Sequence, residues 1–196
     1  MWGSADEPPR LLRALQARRS LPPRALRDPA PTPEQWQQAV ELAARAPDHQ
    51  ALHPFRFVHV GPEARAALGA LFAQAAADRG LGADDVDAAR ARAFTGPGLV
   101  AVVAQVRDDV PDVPAHEQWL CVGAAVMNLL NALHLMGFGA KVLGGSAARS
   151  PRVRQAFCDA GETLACWVIC GTPAQGPEGE PEPPRRDLIE DWAPPD

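Results

Sequence analysis

The run Leu99-Val100-Ala101-Val102-Val103-Ala104 contains no polar side chain and is rich in β-branched residues. Within the segment from Gly98 to Val106 it reads as a central strand that must be covered on both faces. A strand of that kind imposes layers on the rest of the chain, and the remaining patterns supply them. Residues 10–18 read as a short, arginine-rich amphipathic helix. Pro22, Pro23, Pro29, Pro31 and Pro33 break the next stretch into an extended loop. Thr32-Pro33-Glu34-Gln35 then opens a helix: Thr32 caps, Pro33 suits the first helical position and Gln35 completes a capping box. That helix runs through Trp36, Val40, Leu42 and Ala43 and stops before Pro47. Phe55 to Val60 alternates and ends at Gly61-Pro62, the pattern of a strand. Helices are expected at 63–78 and 84–93. A long apolar helix ends at Met136, a short strand covers 141–143, Ser150-Pro151 opens a helix, and 164–170 is a strand. The alternation implies a layered α+β or α/β domain.

At 196 residues with 46% apolar content the chain is expected to form one domain with a real core. We place that domain at 1–172. The segment 173–196 is rich in Pro, Gly and Glu and cannot build a core of its own, so it is either disordered or lies across a partner. A net charge of −5 gives no basic surface for nucleic acid. Eighteen arginines accompany a single lysine, Lys141. Cys121, Cys158, Cys166 and Cys170 form no CxxC pair; at i and i+4 on a strand, Cys166 and Cys170 are about 13 Å apart, too far to bridge. Reduced, buried thiols fit a reducing cytosol. Asp6, Glu7 and two prolines stand where a signal peptide needs an apolar segment, so a cytoplasmic protein is expected. Trp119 to Met136 is interrupted by Asn128, Asn131 and His134, which makes it a buried helix rather than a membrane span. No cysteine cluster accompanies His49, His53, His59, His116 and His134, and no metal constellation is expected. Neither GxGxxG after a strand nor GxxxxGK[ST] is present.

Three segments carry groups suited to a phosphate-bearing ring cofactor. Arg18-Arg19-Ser20 ends a helix; two guanidiniums and a hydroxyl either bind phosphate or form a solvated basic helix end. Arg45-Ala46-Pro47-Asp48-His49 is a helix terminus and turn at the rim of the sheet, where His49 either donates to a ring carbonyl or ribityl oxygen or faces solvent. Gly137-Phe138-Gly139-Ala140-Lys141-Val142-Leu143-Gly144-Gly145 closes a helix, with Gly137 suited to a left-handed cap and Gly144-Gly145 permitting close backbone approach. Lys141 either pairs with phosphate or is a plain surface charge. With no nucleophile elbow and no cysteine beside a histidine in sequence, a cofactor is expected to supply any chemistry.

These segments, with Pro31 to Gln35, Pro54 to Phe57, Glu117-Gln118, Gly123 to Asn128 and Leu164 to Pro173, resemble in order and spacing the flavin-dependent nitroreductase superfamily, closest to the small bacterial nitroreductases. The resemblance spans about residues 10–173. It implies a three-layer α+β fold with a mixed, mostly antiparallel sheet and an intertwined homodimer holding two FMN molecules at the subunit interface. It implies ping-pong transfer of a hydride from NADH or NADPH through flavin N5 to an electron-poor acceptor such as a nitroaromatic or quinone. By resemblance Arg18, Arg19, Ser20, Arg45 and His49 contact FMN, and Val142, Leu143 and Gly144 contact its phosphate side. Ala132, Leu133, His134, Leu135, Met136 and Gly137 map to a nicotinamide contact. Close relatives often have Trp-Arg-Ser at Val142-Leu143-Gly144, so a cation and a hydroxyl are lost here; we expect Lys141 to replace the charge. No side chain is assigned as a general base and no metal is implied. The tail, with Leu188, Ile189 and Trp192, is expected to pack on the partner subunit. Two other readings remain: a flavin enzyme working in the oxidative direction, and a non-catalytic flavin-binding protein.

Overall fold

The computed structural model describes residues 7–174 and 188–192. Asp6 and the residues before it, and the tail residues 175–187 and 193–196, lie outside the described residues. In chain order the elements are α1 (Glu7–Gln16), β1 (Leu26–Arg27), α2 (Pro33–Ala43), β2 (Phe55–His59), α3 (Arg65–Ala77), α4 (Ala83–Ala91), β3 (Gly98–Ala104), α5 (Ala115–Leu135), β4 (Gly139–Leu143), α6 (Pro151–Phe157) and β5 (Thr163–Pro173).

All seven residues of β3 are buried, as its unbroken apolar run requires. Leu99, Ala101 and Val103 face one helical layer with Leu68, Phe72 and Val153, while Val100 and Val102 face the other with Trp36, Ala39, Leu129 and Leu133. Two cores therefore lie back to back on one sheet, the first under α3, α4 and α6 and the second under α2 and α5. Full burial of a side chain such as Leu129 or Leu133 stabilises the fold by roughly 1.5–3 kcal/mol.

The strand ladders are antiparallel, and β5 is the hub. It pairs with β3 along one edge, Val100 opposite Val168, with β4 through Ala140 and Cys170, and with β1 through Leu26 and Pro173. An isolated parallel bridge joins Ser20 to Ala140. The short strand β1 falls in the proline-rich stretch expected to be loop; two residues are too few for an alternation signal, and they are ordered by pairing with the far end of β5. That pairing also carries β5 through Pro173, beyond the expected end at 170. The capping box of α2 forms, with Gln35 N donating to Thr32 Oγ1 at 3.3 Å and Thr32 N to Gln35 Oε1 at 2.9 Å.

Arg65 is 5% exposed and bonds three backbone carbonyls, Val60, Ala93 and Pro97, at 3.1, 2.7 and 2.9 Å. It ties the start of α3 to the segment entering β3, and burial lowers its pKa. Near the other end of β2, Arg56 makes a two-pronged ion pair with the buried Glu162 before β5 and donates to Phe157 O at 2.7 Å.

Candidate functional site

Helix α5 organises the groups singled out from sequence, because they gather at its two ends. At the C-terminal end, Gly137 with φ +90° closes the helix. Gly137 N donates to His134 O at 3.0 Å and Phe138 N to Leu133 O at 2.9 Å, the paired bonds of a Schellman cap. The reversal feeds directly into β4. Leu21 N bonds Ala140 O at 3.1 Å, which holds Ser20 against β4 one residue from Lys141. His134 Nε2 donates to Ala14 O at 2.7 Å and fixes α1 to α5. A cavity of about 210 Å³ opens here, lined by Ala17, Arg19, Leu21, His134, Gly137 and Phe138, with no carboxylate in its wall among the described residues. At Gly144 and Gly145 a methyl group would meet nothing within 4 Å, so the backbone beyond β4 is open to approach.

At the N-terminal end of α5 lies the turn that follows α2. Asp48 anchors it, accepting from Leu52 N at 3.1 Å and His53 N at 2.7 Å. Gln50, Ala51 and His53 all have positive φ, at 61°, 52° and 49°, a conformation that costs about 1–2 kcal/mol for a residue with a Cβ. Such strain persists where surrounding contacts over-determine it. One is Gln50 Nε2 donating to Pro111 O at 3.3 Å. A second is His49 Nδ1, 2.9 Å from Glu117 Oε2 in the first turn of α5. Gln118, 2% exposed, in turn bonds Arg107 N and O and Val113 O, pinning the start of α5. Cys121 lies one turn further along; burial, with the Asp48 charge adding to it, pushes its pKa up to about 11.

The structure thus brings Arg19, preceded by Arg18, to one cavity with His134 and Gly137, sets Ser20 against β4 one residue before Lys141, Val142, Leu143 and Gly144, and brings His49 to Glu117; Arg45 follows α2, and its neighbour Ala46 packs on Cys121 and Ala125 of α5. It does not bring the two groups together. α5 has 21 residues, so the His49–Glu117 contact and the cavity at Gly137 stand about 30 Å apart at 1.5 Å per residue. Of the six residues mapped to nicotinamide, Ala132 and Leu133 point into the core with α2, while Leu135 and Gly137 are exposed and His134 and Met136 are half-buried. Sequence spacing missed Glu117 as the partner of His49, since 68 residues separate them and nothing local links the two. It also missed the cavity's apolar wall. Among the described residues, no group of three His, Cys, Asp or Glu side chains could hold a metal ion. Helix α5 is long and apolar enough to cross a membrane by length and composition, and packs one face into the core through Val122, Leu129 and Leu133. Trp119, Leu120, Met127 and Leu135 are exposed on it.

The nitroreductase family model matches residues 15–172. The "Putative NAD(P)H nitroreductase YdjA" of Escherichia coli K12 is 35% identical over 149 residues, covering 76% of this chain and 81% of that protein. Among solved structures, a nitroreductase-like family protein from Bacillus cereus superposes with a TM-score of 0.72 at 19% identity, covering 98% of this chain and 97% of the other. A nitroreductase-type protein from Desulfovibrio desulfuricans, solved in complex with FMN, superposes with a TM-score of 0.66 at 22% identity over 94% and 98% of the two chains.

Proposed function

The chain belongs to the nitroreductase family, and on that premise we propose that it is an FMN-dependent oxidoreductase. In this reading it takes electrons from NADH or NADPH and passes them to an electron-poor acceptor such as a nitroaromatic or a quinone. The observation that carries the reading is the parallel bridge of Ser20 to Ala140, which sets Ser20 one position from Lys141 on β4 and leaves Arg19, with Arg18 before it, at the cavity beside Gly137 and Phe138. A phosphate dianion asks for cations, a hydroxyl and approachable backbone N–H groups. This corner offers all of them, next to a cavity with no carboxylate among its described lining residues and an open Gly144-Gly145 backbone. The donor set fits FMN. When bound, FMN would supply two-electron redox chemistry that couples oxidation of the nicotinamide to reduction of the acceptor. Arg18, Arg19 and Lys141 hold the phosphate charge and Ser20 donates to it. Val142, Leu143 and Gly144 line the phosphate side, Arg45 and His49 reach the ring or ribityl chain, and the segment from His134 to Gly137 borders the nicotinamide.

We further propose that the working unit is a homodimer with each FMN held between two copies. His49 and the cavity lined by Arg19 and Gly137 lie about 30 Å apart along α5, farther than one FMN molecule spans. A second copy laid antiparallel along α5 brings the N-terminal group of one chain to the C-terminal group of the other. Leu120, Met127 and Leu135 form an exposed apolar stripe at near-heptad spacing on that helix. Leu188, Ile189 and Trp192 of the tail are 79%, 90% and 83% exposed in the single chain, and in this reading they bury on the partner.

The test is anaerobic oxidation of NADH and of NADPH by the FMN-loaded protein with a nitroaromatic and with a quinone. Acceptor-dependent nicotinamide oxidation is expected. FMN binding without turnover on either acceptor class contradicts the catalytic reading and leaves a flavin-holding protein.

A further inference from the structure

The turn carrying His49 is held more tightly than an ordinary surface loop requires. Of the positive-φ residues other than glycine, Gln50, Ala51 and His53 adjoin His49, and Asp112 adjoins Pro111, the carbonyl that receives the Gln50 amide. Asp48 caps one side of the turn, and Gln118 fixes the backbone beside Glu117 from beneath. Strained backbone on both sides of one polar contact is the pattern found where a side chain must be aimed. The contact is His49 Nδ1 to Glu117 Oε2, 2.9 Å, with His49 52% and Glu117 39% exposed. Both therefore stand at an accessible surface, with the imidazole's other nitrogen unclaimed by any hydrogen bond within the described chain.

We propose that Glu117 is a positioning residue for the flavin site: it locks His49 in the Nδ1–H tautomer and presents Nε2 as a hydrogen-bond acceptor to an O–H or N–H donor of the flavin. The inference rests on the FMN reading above. An ionised carboxylate is acceptor-only, so the proton between the two groups belongs to Nδ1, and in a neutral imidazole Nε2 then has only a lone pair to offer. Neutral His49 consequently does not donate to a ring carbonyl or a ribityl oxygen, one of the roles its sequence position suggests. It accepts, and the flavin groups that can donate to it are the ribityl hydroxyls and ring N3–H. Glu117 also suits its place in the first turn of α5, where a carboxylate is favoured by the helix dipole, so the lock is maintained whether or not a ligand is present.

Two measurements on the full chain test this. Imidazole ¹⁵N shifts of His49 in the flavin-free protein are expected to report Nδ1 protonated and Nε2 bare, reversing the usual preference of a neutral histidine in water. Glu117→Ala is expected to lose that signature and to raise the FMN Kd about tenfold, with Glu117→Gln, whose carbonyl can still accept from Nδ1–H, recovering most of the affinity. Repeating the comparison with riboflavin and with lumiflavin, which lacks the ribityl chain, separates the two donors. A penalty that disappears with lumiflavin assigns the contact to a ribityl hydroxyl, and one that persists assigns it to N3–H. A His49 found in the Nε2–H tautomer, or an FMN Kd unchanged in Glu117→Ala, overturns the inference while leaving the FMN reading standing. A wild-type chain that binds no flavin overturns both.

Discussion

Ser20 is bridged to Ala140, so the last residue of the Arg-Arg-Ser segment sits one position away from the only lysine in the chain. Lys141 and Leu143 share a face of β4 by the two-residue period of a strand, about 6.6 Å apart along it. A lysine side chain spans that gap, which makes Lys141 able to place its ammonium where Leu143 offers no charge. Removing it deletes a charge-assisted contact to phosphate. We expect Lys141→Ala to raise the FMN Kd roughly tenfold, about 1.4 kcal/mol. In the same background Leu143→Arg is expected to restore the loss. Titration by flavin fluorescence quenching measures both, and an unchanged Kd in Lys141→Ala assigns the lysine to the surface alone.

The separation of the two groups along α5 makes a second prediction. Arg18→Ala and His49→Ala each damage both sites of a homodimer. Mixed and reassembled, the two variants form heterodimers in which one site carries both lesions and the other carries none. Flavin binding is therefore expected to return at about a quarter of the wild-type site count. If the mixture binds no more than the separate variants, the site is built within one chain.

Acid stability follows from Arg56 and Glu162. The hydrogen bond from Arg56 is the largest cause holding the Glu162 carboxyl below the usual range of a glutamate. A depressed folded-state pKa contributes stability that is complete above the unfolded value and is lost as pH falls through the folded one. Denaturant midpoints are expected to be flat near neutrality and to drop below about pH 4.5. Glu162→Gln should flatten that drop and cost about 1–3 kcal/mol at pH 7. A variant whose acid limb matches the wild type would show that other carboxyls carry the effect.

Thiol chemistry offers an independent check on the core. Burial pushes Cys166 up to about 11 and Cys170 up to about 12, and Cys158 is raised as well. Thiolate is the reactive form, so the folded protein at pH 8 should react with a disulfide reagent many-fold more slowly than the four thiols released in denaturant. Rapid modification of Cys170 in the folded state would mean that the sheet opens there.

The fold was legible where one residue class acts over a whole element. The apolar run of β3, the capping box of α2 and the glycine closing α5 each state their conformation locally. β1 was hidden because its order comes from β5, more than a hundred residues away. The same distance effect hid Glu117: His49 could be singled out from its turn, but its hydrogen-bonding role depends on a helix that begins 66 residues later. Ala132 and Leu133 illustrate the converse. A mapped stretch of helix includes both faces, and only the 3.6-residue period, realised in packing against α2, separates those in the core from those a ligand can reach.

One binding event decides whether the Arg18–Ser20 and Lys141 corner holds a flavin. We would titrate FMN into the purified full chain, following flavin fluorescence and the visible absorption bands, then heat the complex and identify what is released. One intact FMN per chain, with a Kd in the micromolar range or tighter, is the expected result. No quenching at any concentration, or release of a different chromophore, would contradict the assignment of the Arg18–Ser20 and Lys141 corner as a flavin phosphate site.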